Sequence, residues 1–391
     1  MADIETDYDV VVIGGGVSGC ASAYRLAPDH DVAVVDKGQI AGEASGLAAG
    51  LVAPTLFYSD NPAVARYANA WFREFDGTGQ FTFHQRPRLE FIRPDSADAA
   101  RERAGRLSEE GFPVTFLDPP EVDAEYPWFD TSRFVGAVEY ADTGWVDPYE
   151  YTVALQKAAV DRGVDVSANT PVSGVDVNDG VVSIELDGGT LTADYVVVAA
   201  GWRTRELLAD YIHLPVQPFR LQCAMLRPEE PLDRTFPLGR VARNDLYFRG
   251  EPNGDLLVGG GEYLDDTPDP IAGGVGIDDD FRQHVATTVP TFLEGFERAE
   301  FVNGWAGIDA TTPDTFPLLG SAPSLPDRII VSTGYNGLGM VSSPVGAAVV
   351  HAEVTGEDAP FPVDPFAVDR FSEDTTDFEL RGTFEMAGAG R

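Results

Sequence analysis

The sequence predicts an α/β protein: a Rossmann-like parallel sheet crossed by helices, with an inserted antiparallel-sheet domain. Three observations carry that expectation. A β-branched run, Tyr8 to Ile13, enters the turn Gly14-Gly15-Gly16-Val17-Ser18-Gly19, then a helical stretch to Leu26 and a second β-branched run ending on Asp36. Strand texture returns at 192–201 and 328–332, each time followed by small residues. Between these, from 211 to 320, prolines, arginines and short alternating runs read as antiparallel strands.

The glycine turn carries the strongest chemistry. Strand, turn, helix, strand and acid together make G-x-G-x-x-G a dinucleotide signal rather than a loose loop. Gly14 permits the tight turn, Gly16 lets backbone approach a pyrophosphate, and Gly19 lets the helix pack closely on the strand. The helix N-terminus offers free N–H groups to phosphate. Asp36, 22 residues beyond Gly14, stands where a carboxylate accepts a ribose hydroxyl.

The remaining elements follow in order. Gly42 to Gly50 is a small-residue stretch that allows backbone to approach a bulky ligand. Helices are expected at 61–75 and 97–110, and a strand at 81–92. Asp147-Pro148 caps a helix running to about 161. Strands at 164–166, 172–177 and 181–186 follow, the last two joined by an Asn178-Asp179-Gly180 hairpin turn. A helix is expected from Ser343 to Thr355. The nucleotide-binding domain is thus assembled from 1–80, 148–210 and 320–360, and the substrate domain from 81–147 and 211–319. Residues 366–391 read as a polar, loosely held tail.

Composition narrows the partners. Lys and Arg total 27 against 64 acids, a net charge of −37, and Lys37 and Lys157 are the two lysines. Such a surface repels nucleic acid and anionic lipid. With 43% apolar residues the chain still folds, and its composition is like that of haloarchaeal proteins working in a salt-rich cytoplasm. Cys20 and Cys223 make no disulfide framework, and no metal cluster is evident. The acidic start, Met1 to Glu5, is not a secretory signal. The uncharged run 329–350 contains Asn336, Pro344 and several glycines, so it reads as a loop feeding a helix and not as an integral membrane segment. A cytoplasmic protein is expected.

Five blocks resemble one family: Val12 to Gly19, Ala44-Ser45-Gly46, Gly144 to Pro148, Asp194 to Gly201, and Trp305 to Gly320 continuing into Gly334 to Gly346. Their order and spacing are similar to those of the D-amino-acid-oxidase-like FAD-dependent oxidoreductases, which include glycine and sarcosine oxidases and D-amino-acid dehydrogenases. The stretch 44–75, with Arg220, Tyr247 and Phe248, resembles the D-arginine/D-amino-acid dehydrogenase branch. The resemblance implies FAD, and oxidation of a C–N bond in an amino acid or amine by hydride transfer to flavin, giving an imine that hydrolyses. It implies that Gly14, Gly16, Val17, Ser18, Gly19, Asp36 and Lys37 hold the ADP half, with Ala44, Ser45 and Gly46 near the pyrophosphate and flavin. Val172, Ala200 and Gly201 would flank the dinucleotide, and Gly337, Leu338, Gly339 and Met340 the flavin ring. A helix starting at Ser343 would aim its positive end there.

The same comparison marks departures. Where glycine oxidases read Gly-Leu-Arg-Pro, this chain has Gly307-Ile308-Asp309-Ala310. Their arginine pairs with the substrate carboxylate, so Arg220 alone would have to serve, or Asp309 binds a cationic nitrogen, or Asp309 is a cap. Tyr247 resembles a substrate-bonding tyrosine. Arg88 argues against a cationic substrate side chain, and His84 reads as structural. Gly307 replaces the cysteine through which sarcosine oxidases attach FAD, so non-covalent FAD is expected. Neither lysine falls at an oxygen-activating position, which favours a dehydrogenase with an unidentified electron acceptor. Two other readings stand: an FAD-dependent hydroxyacid or glycerol-phosphate dehydrogenase, whose phosphate would want clustered basic residues where Arg220, Arg227, Arg240, Arg243 and Arg249 are scattered in sequence, and a non-catalytic flavin-binding subunit.

Overall fold

Burial on both faces explains the first sheet. Val10, Val11 and Val12 are fully buried, as expected of a strand covered above and below. Val10 and Val12 pack with Ala23, Leu26, Val350 and Val354 from the covering helices Val17–Leu26 and Gly339–Thr355. Val11 and Ile13 face Trp202, Leu208 and Val216. Strand Tyr8–Ile13 lies parallel between Val32–Val35 and Gly189–Val198. Asp165–Ser167 extends one side and Ile329–Thr333 the other, both parallel. The computed structural model describes residues 7–241, 246–260, 276–371, 375 and 378–380. Met1 to Glu5, Arg243 and residues 381–391 therefore lie outside the described residues.

Local signals act as their chemistry dictates. In the 178–181 turn Asp179 and Gly180 both have positive φ (51° and 81°), the geometry that a two-residue hairpin loop joining Val172–Asn178 to Val181–Leu186 requires. The Asp147 carboxylate accepts the Glu150 N–H at 2.8 Å and starts helix Pro148–Val160.

Among the described residues the second sheet has eight strands. Their order is Glu300–Thr311, Gln217–Arg227, Leu256–Gly260, Leu246–Gly250, Leu238–Val241, Arg88–Ile92, Gly136–Tyr140, Val114–Leu117. It is not wholly antiparallel: Leu238–Val241 runs parallel to Arg88–Ile92. That pair joins segments about 150 residues apart in sequence, so no turn signal announces it.

Three further expectations need correction. The 81–92 strand is broken into His84–Gln85 and Arg88–Ile92, which belong to different sheets. The last long helix begins at Gly339, not Ser343. Pro344 is tolerated because the carbonyl it leaves free, that of Met340, accepts the Ser343 hydroxyl at 2.9 Å. The tail is not loose throughout, since Phe366 and Val368 are buried and Arg370 pairs with Asp314 at 2.8 Å.

Candidate active site

A cavity of about 1030 Å³, lined by residues of both sheets, is at the upper end for small-molecule and cofactor sites. The glycine turn forms part of its wall. Gly14 (φ 115°) sits so close to the neighbouring strand that a Cβ would meet the Ala199 carbonyl at 2.3 Å. At Gly19 a Cβ would meet the Gly14 carbonyl at 1.9 Å, so the helix can approach the strand only with glycine there. The Asp36 carboxylate accepts the Gly15 N–H at 2.6 Å and the Gly38 N–H at 2.7 Å while facing the cavity. The Ser45 hydroxyl accepts the Val17 N–H at 2.9 Å.

Two helices begin on this cavity, and neither N-cap residue caps its helix by a side chain: Val17–Leu26 behind Gly16, whose Val17 N–H is taken by Ser45, and Gly339–Thr355 behind Leu338. Uncapped N-termini present donors and a positive dipole end. Volume, glycine cradle and donor set all fit a diphosphate-bearing dinucleotide.

Most of the predicted cofactor residues line the cavity: Gly14, Gly16, Val17, Ser18, Asp36, Lys37, Ala44, Ser45, Val172, Ala200, Gly201, Gly337, Leu338, Gly339 and Met340. Gly19 and Gly46 do not; a Cβ at Gly46 would strike the Ala41 carbonyl at 2.2 Å, so its task is packing. Lys37 is paired with Glu43 at 2.5 Å, and Arg203 reaches the same carboxylate at 2.8 Å.

The cavity divides the predicted catalytic residues. Tyr247 and Asp309 line it. Arg220 does not. Phe219, Leu221 and Cys223 face the cavity, so on a strand the intervening Arg220 must point to the other face. There it is buried, bonded to the Gly276 carbonyl and paired with Asp278 at 2.6 Å. Asp309 also differs from a free cation acceptor: it takes the Ala310 N–H at 2.8 Å and the Gly337 N–H at 2.6 Å. It thereby ties the second sheet to the loop before the long helix. Burial raises its pKa against the opposing pull of those two bonds. His84 stacks on Trp145 with ring centroids 4.0 Å apart, and Arg88 is fully buried against Glu90 at 2.7 Å.

The small-residue stretch 42–50 lines the cavity as its composition suggests, and sequence reasoning missed Phe57 and the strand residues Phe219, Leu221 and Cys223. The two-residue period of 217–227 was the available signal, but it says which residues share a face and not which face meets the cavity. Burial pushes the Cys223 thiol up to about 11 and Cys20 up to about 12. At pH 8 neither holds appreciable thiolate, so Ellman's reagent should find almost no fast-reacting thiol in the folded protein and both after denaturation. A fast thiol in the native protein would contradict the burial of Cys223.

Among the described residues, no helix is long and apolar enough to cross a membrane. The family model "FAD dependent oxidoreductase" matches residues 9–352. The chain is 27% identical to the glycine oxidase of Geobacillus kaustophilus, over 93% of this chain and 97% of that one. It is 26% identical to the sarcosine oxidase subunit beta of an Arthrobacter species, over 93% and 91%. In structure it superposes on glycine oxidase from Geobacillus kaustophilus with a TM-score of 0.80 (24% identity, 94% of this chain and 100% of that one). The corresponding score for L-proline dehydrogenase from P. horikoshii is 0.85 (20% identity, 94% and 98%). The glycine cradle, the two helix starts and this match over most of the chain establish that the protein belongs to the FAD-dependent oxidoreductase family and is an enzyme with FAD as its cofactor.

Proposed function

We propose that this enzyme oxidises the C–N bond of an amino acid or secondary amine. One observation carries the reading: where the second sheet meets the cavity, its lining residues Leu51, Phe57, Cys223 and Tyr247 pack in one largely apolar cluster. The relatives named glycine oxidase and sarcosine oxidase subunit support the same chemistry. FAD, when bound, supplies the hydride acceptor. The substrate loses a hydride from carbon and a proton from nitrogen, and water then cleaves the imine to a carbonyl compound and ammonia or an amine.

The chain's own groups set the conditions. Burial raises the Tyr247 pKa well above the usual tyrosine value, so the phenol stays neutral and can donate to substrate. The Cys223 thiol stays neutral for the same reason. No strong base is presented there, which suits an amine that binds already deprotonated. The apolar walls exclude water and orient the C–H bond. FAD is read as non-covalent, with an electron acceptor other than dioxygen, in the cytoplasm of a salt-adapted cell. The glycerol-phosphate alternative is disfavoured: among the described residues the cavity's basic side chains are Lys37 and Arg203, both committed to Glu43 near the glycine turn.

The test is anaerobic titration of the flavin-loaded protein in molar KCl with amines, D- and L-amino acids and hydroxyacids. Bleaching of the visible flavin band by an amine or amino acid, with ammonia or an amine released, is the expected result. Bleaching by hydroxyacids alone would replace the reading with CH–OH oxidation.

A further inference from the structure

The cavity that takes the cofactor is lined mostly by the wrong charge for it. Among the described residues seven acidic and two basic side chains line it. The acids come from separate segments: Asp36 after the second strand, Glu43 in the small-residue stretch, Asp176 and Glu185 on the hairpin, and Glu206 and Asp210 beyond strand Gly189–Val198. FAD brings a doubly charged diphosphate into this field, and like charges repel it.

The two cations do not offset the acids, because both are spent on one of them. Lys37 Nζ lies 2.5 Å from the Glu43 carboxylate, and Arg203 lies 2.8 Å from it across a separation of 160 residues. Strand Tyr8–Ile13, which feeds the glycine turn, runs between the strands that Lys37 and Arg203 follow. The cations therefore flank the turn and meet on Glu43. Two residues further on, the Ser45 hydroxyl accepts the Val17 N–H at the start of helix Val17–Leu26. Glu43 thus holds both cations beside the helix end whose backbone donors suit a phosphate.

We propose that Glu43 is an internal competitor of the cofactor's diphosphate, and that salt therefore tightens the hold on FAD. The carboxylate occupies the cations with which a diphosphate would pair, and the exposed acids Asp176, Glu185, Glu206 and Asp210 repel it over a distance. Such repulsion is screened, since the Debye length falls from about 30 Å at 0.01 M to about 3 Å at 1 M salt. Hydrogen bonds from backbone N–H groups act at contact and survive that change. An anion site built on free arginines and lysines loosens as salt rises; this one should do the opposite. The inference rests on FAD as the cofactor and not on the C–N reading, so the two stand or fall separately.

Equilibrium binding to the apoprotein tests it, followed by flavin fluorescence for FAD and by calorimetry for ADP and adenosine, which differ by the diphosphate. Between about 0.05 M and 1 M KCl the affinity for FAD and ADP should rise about tenfold or more, while that for adenosine stays within about twofold. Choline chloride should act as KCl does, because screening is blind to the identity of the cation. Glu43→Gln, which frees Lys37 and Arg203 of their carboxylate, should bind FAD about tenfold more tightly at low salt and lose most of the salt response. Glu206→Gln combined with Asp210→Asn, at two exposed positions, should shift both quantities the same way by less, and carries the comparison if Glu43→Gln does not fold. Weaker FAD binding by Glu43→Gln, an affinity that falls as salt rises, or a response specific to potassium would each overturn the proposal. Equal salt responses for ADP and adenosine would also overturn it, since salt would then be acting on the fold. If adenosine binds too weakly to follow, the salt responses of wild type and Glu43→Gln towards FAD decide alone.

Discussion

Gly19→Ala should yield a protein that neither retains flavin nor melts at the wild-type temperature. The added methyl would sit 1.9 Å from the Gly14 carbonyl oxygen, and backbone cannot rotate away as a side chain can. The helix must lift off the strand, and overpacking of this kind costs about 1–3 kcal/mol. Lifting also displaces Val17 and Ser18, which line the cavity, so cofactor affinity falls with stability. Gly105→Ala is the internal contrast. Gly105 lies in helix Ala97–Glu109 with nothing within 4 Å of an added Cβ, and the change should stabilise by about 0.5–1 kcal/mol. Flavin-to-protein absorbance ratio and thermal midpoint read both variants. Stoichiometric flavin and an unshifted midpoint in Gly19→Ala would show that the turn does not need the close approach.

Asp309→Ala should be the next most damaging change. It leaves the Ala310 and Gly337 N–H groups without their acceptor, at about 1–3 kcal/mol for a buried donor left unpaired. It also frees the loop that shapes the cavity beside Gly337 and Leu338. The pH dependence has a definite sign. Burial raises the carboxyl above its ordinary 3.8, so the folded state binds this proton more tightly than the unfolded chain. That contribution to stability is fully present below 3.8 and is lost as pH rises through the raised value. The stability deficit of Asp309→Ala should therefore be widest in acid and narrow towards neutrality. Urea titrations of both proteins across that range measure it, and a deficit that grew with pH would show that hydrogen bonding outweighs burial at this carboxylate.

What could be read in advance was local. Residues 8–36 combine β-branched runs, three spaced glycines and an acid, each of which acts within a few residues of itself, and the structure keeps those relations. The Asp147 cap and the hairpin turn at Asp179-Gly180 were legible for the same reason. The start of the last helix was hidden because Gly337, Gly339 and Pro344 each weaken a helical pattern, while the Ser343 bond that compensates for Pro344 exists only once the helix is formed. Arg220 failed differently. Alternation groups it with Gln222 and separates it from Phe219 and Leu221, but the choice between cavity and helix Asp279–Thr288 as the neighbour of each face is made by tertiary packing. Asp309 looked like a ligand by its position, and its two backbone donors come from its own neighbour and from a loop 28 residues on.

The wall from Leu47 to Gly50 has a consequence for assembly. Its carbonyls are held by three donors from elsewhere: Trp305 Nε1 on Leu47, Arg249 Nε on Ala49 and the Val146 N–H on Gly50. Two of those contacts close loops of 258 and 200 residues. Contacts of such high sequence separation cost the most chain entropy and form after local structure is in place. The strand, turn and helix of residues 8–26 meet through neighbours in sequence, whereas the wall beside Tyr247 takes its shape only when segments 200 and 258 residues apart have met. Competence to bind substrate is therefore a property of the assembled chain, as is the nucleotide cradle, whose Gly14 packs against Ala199.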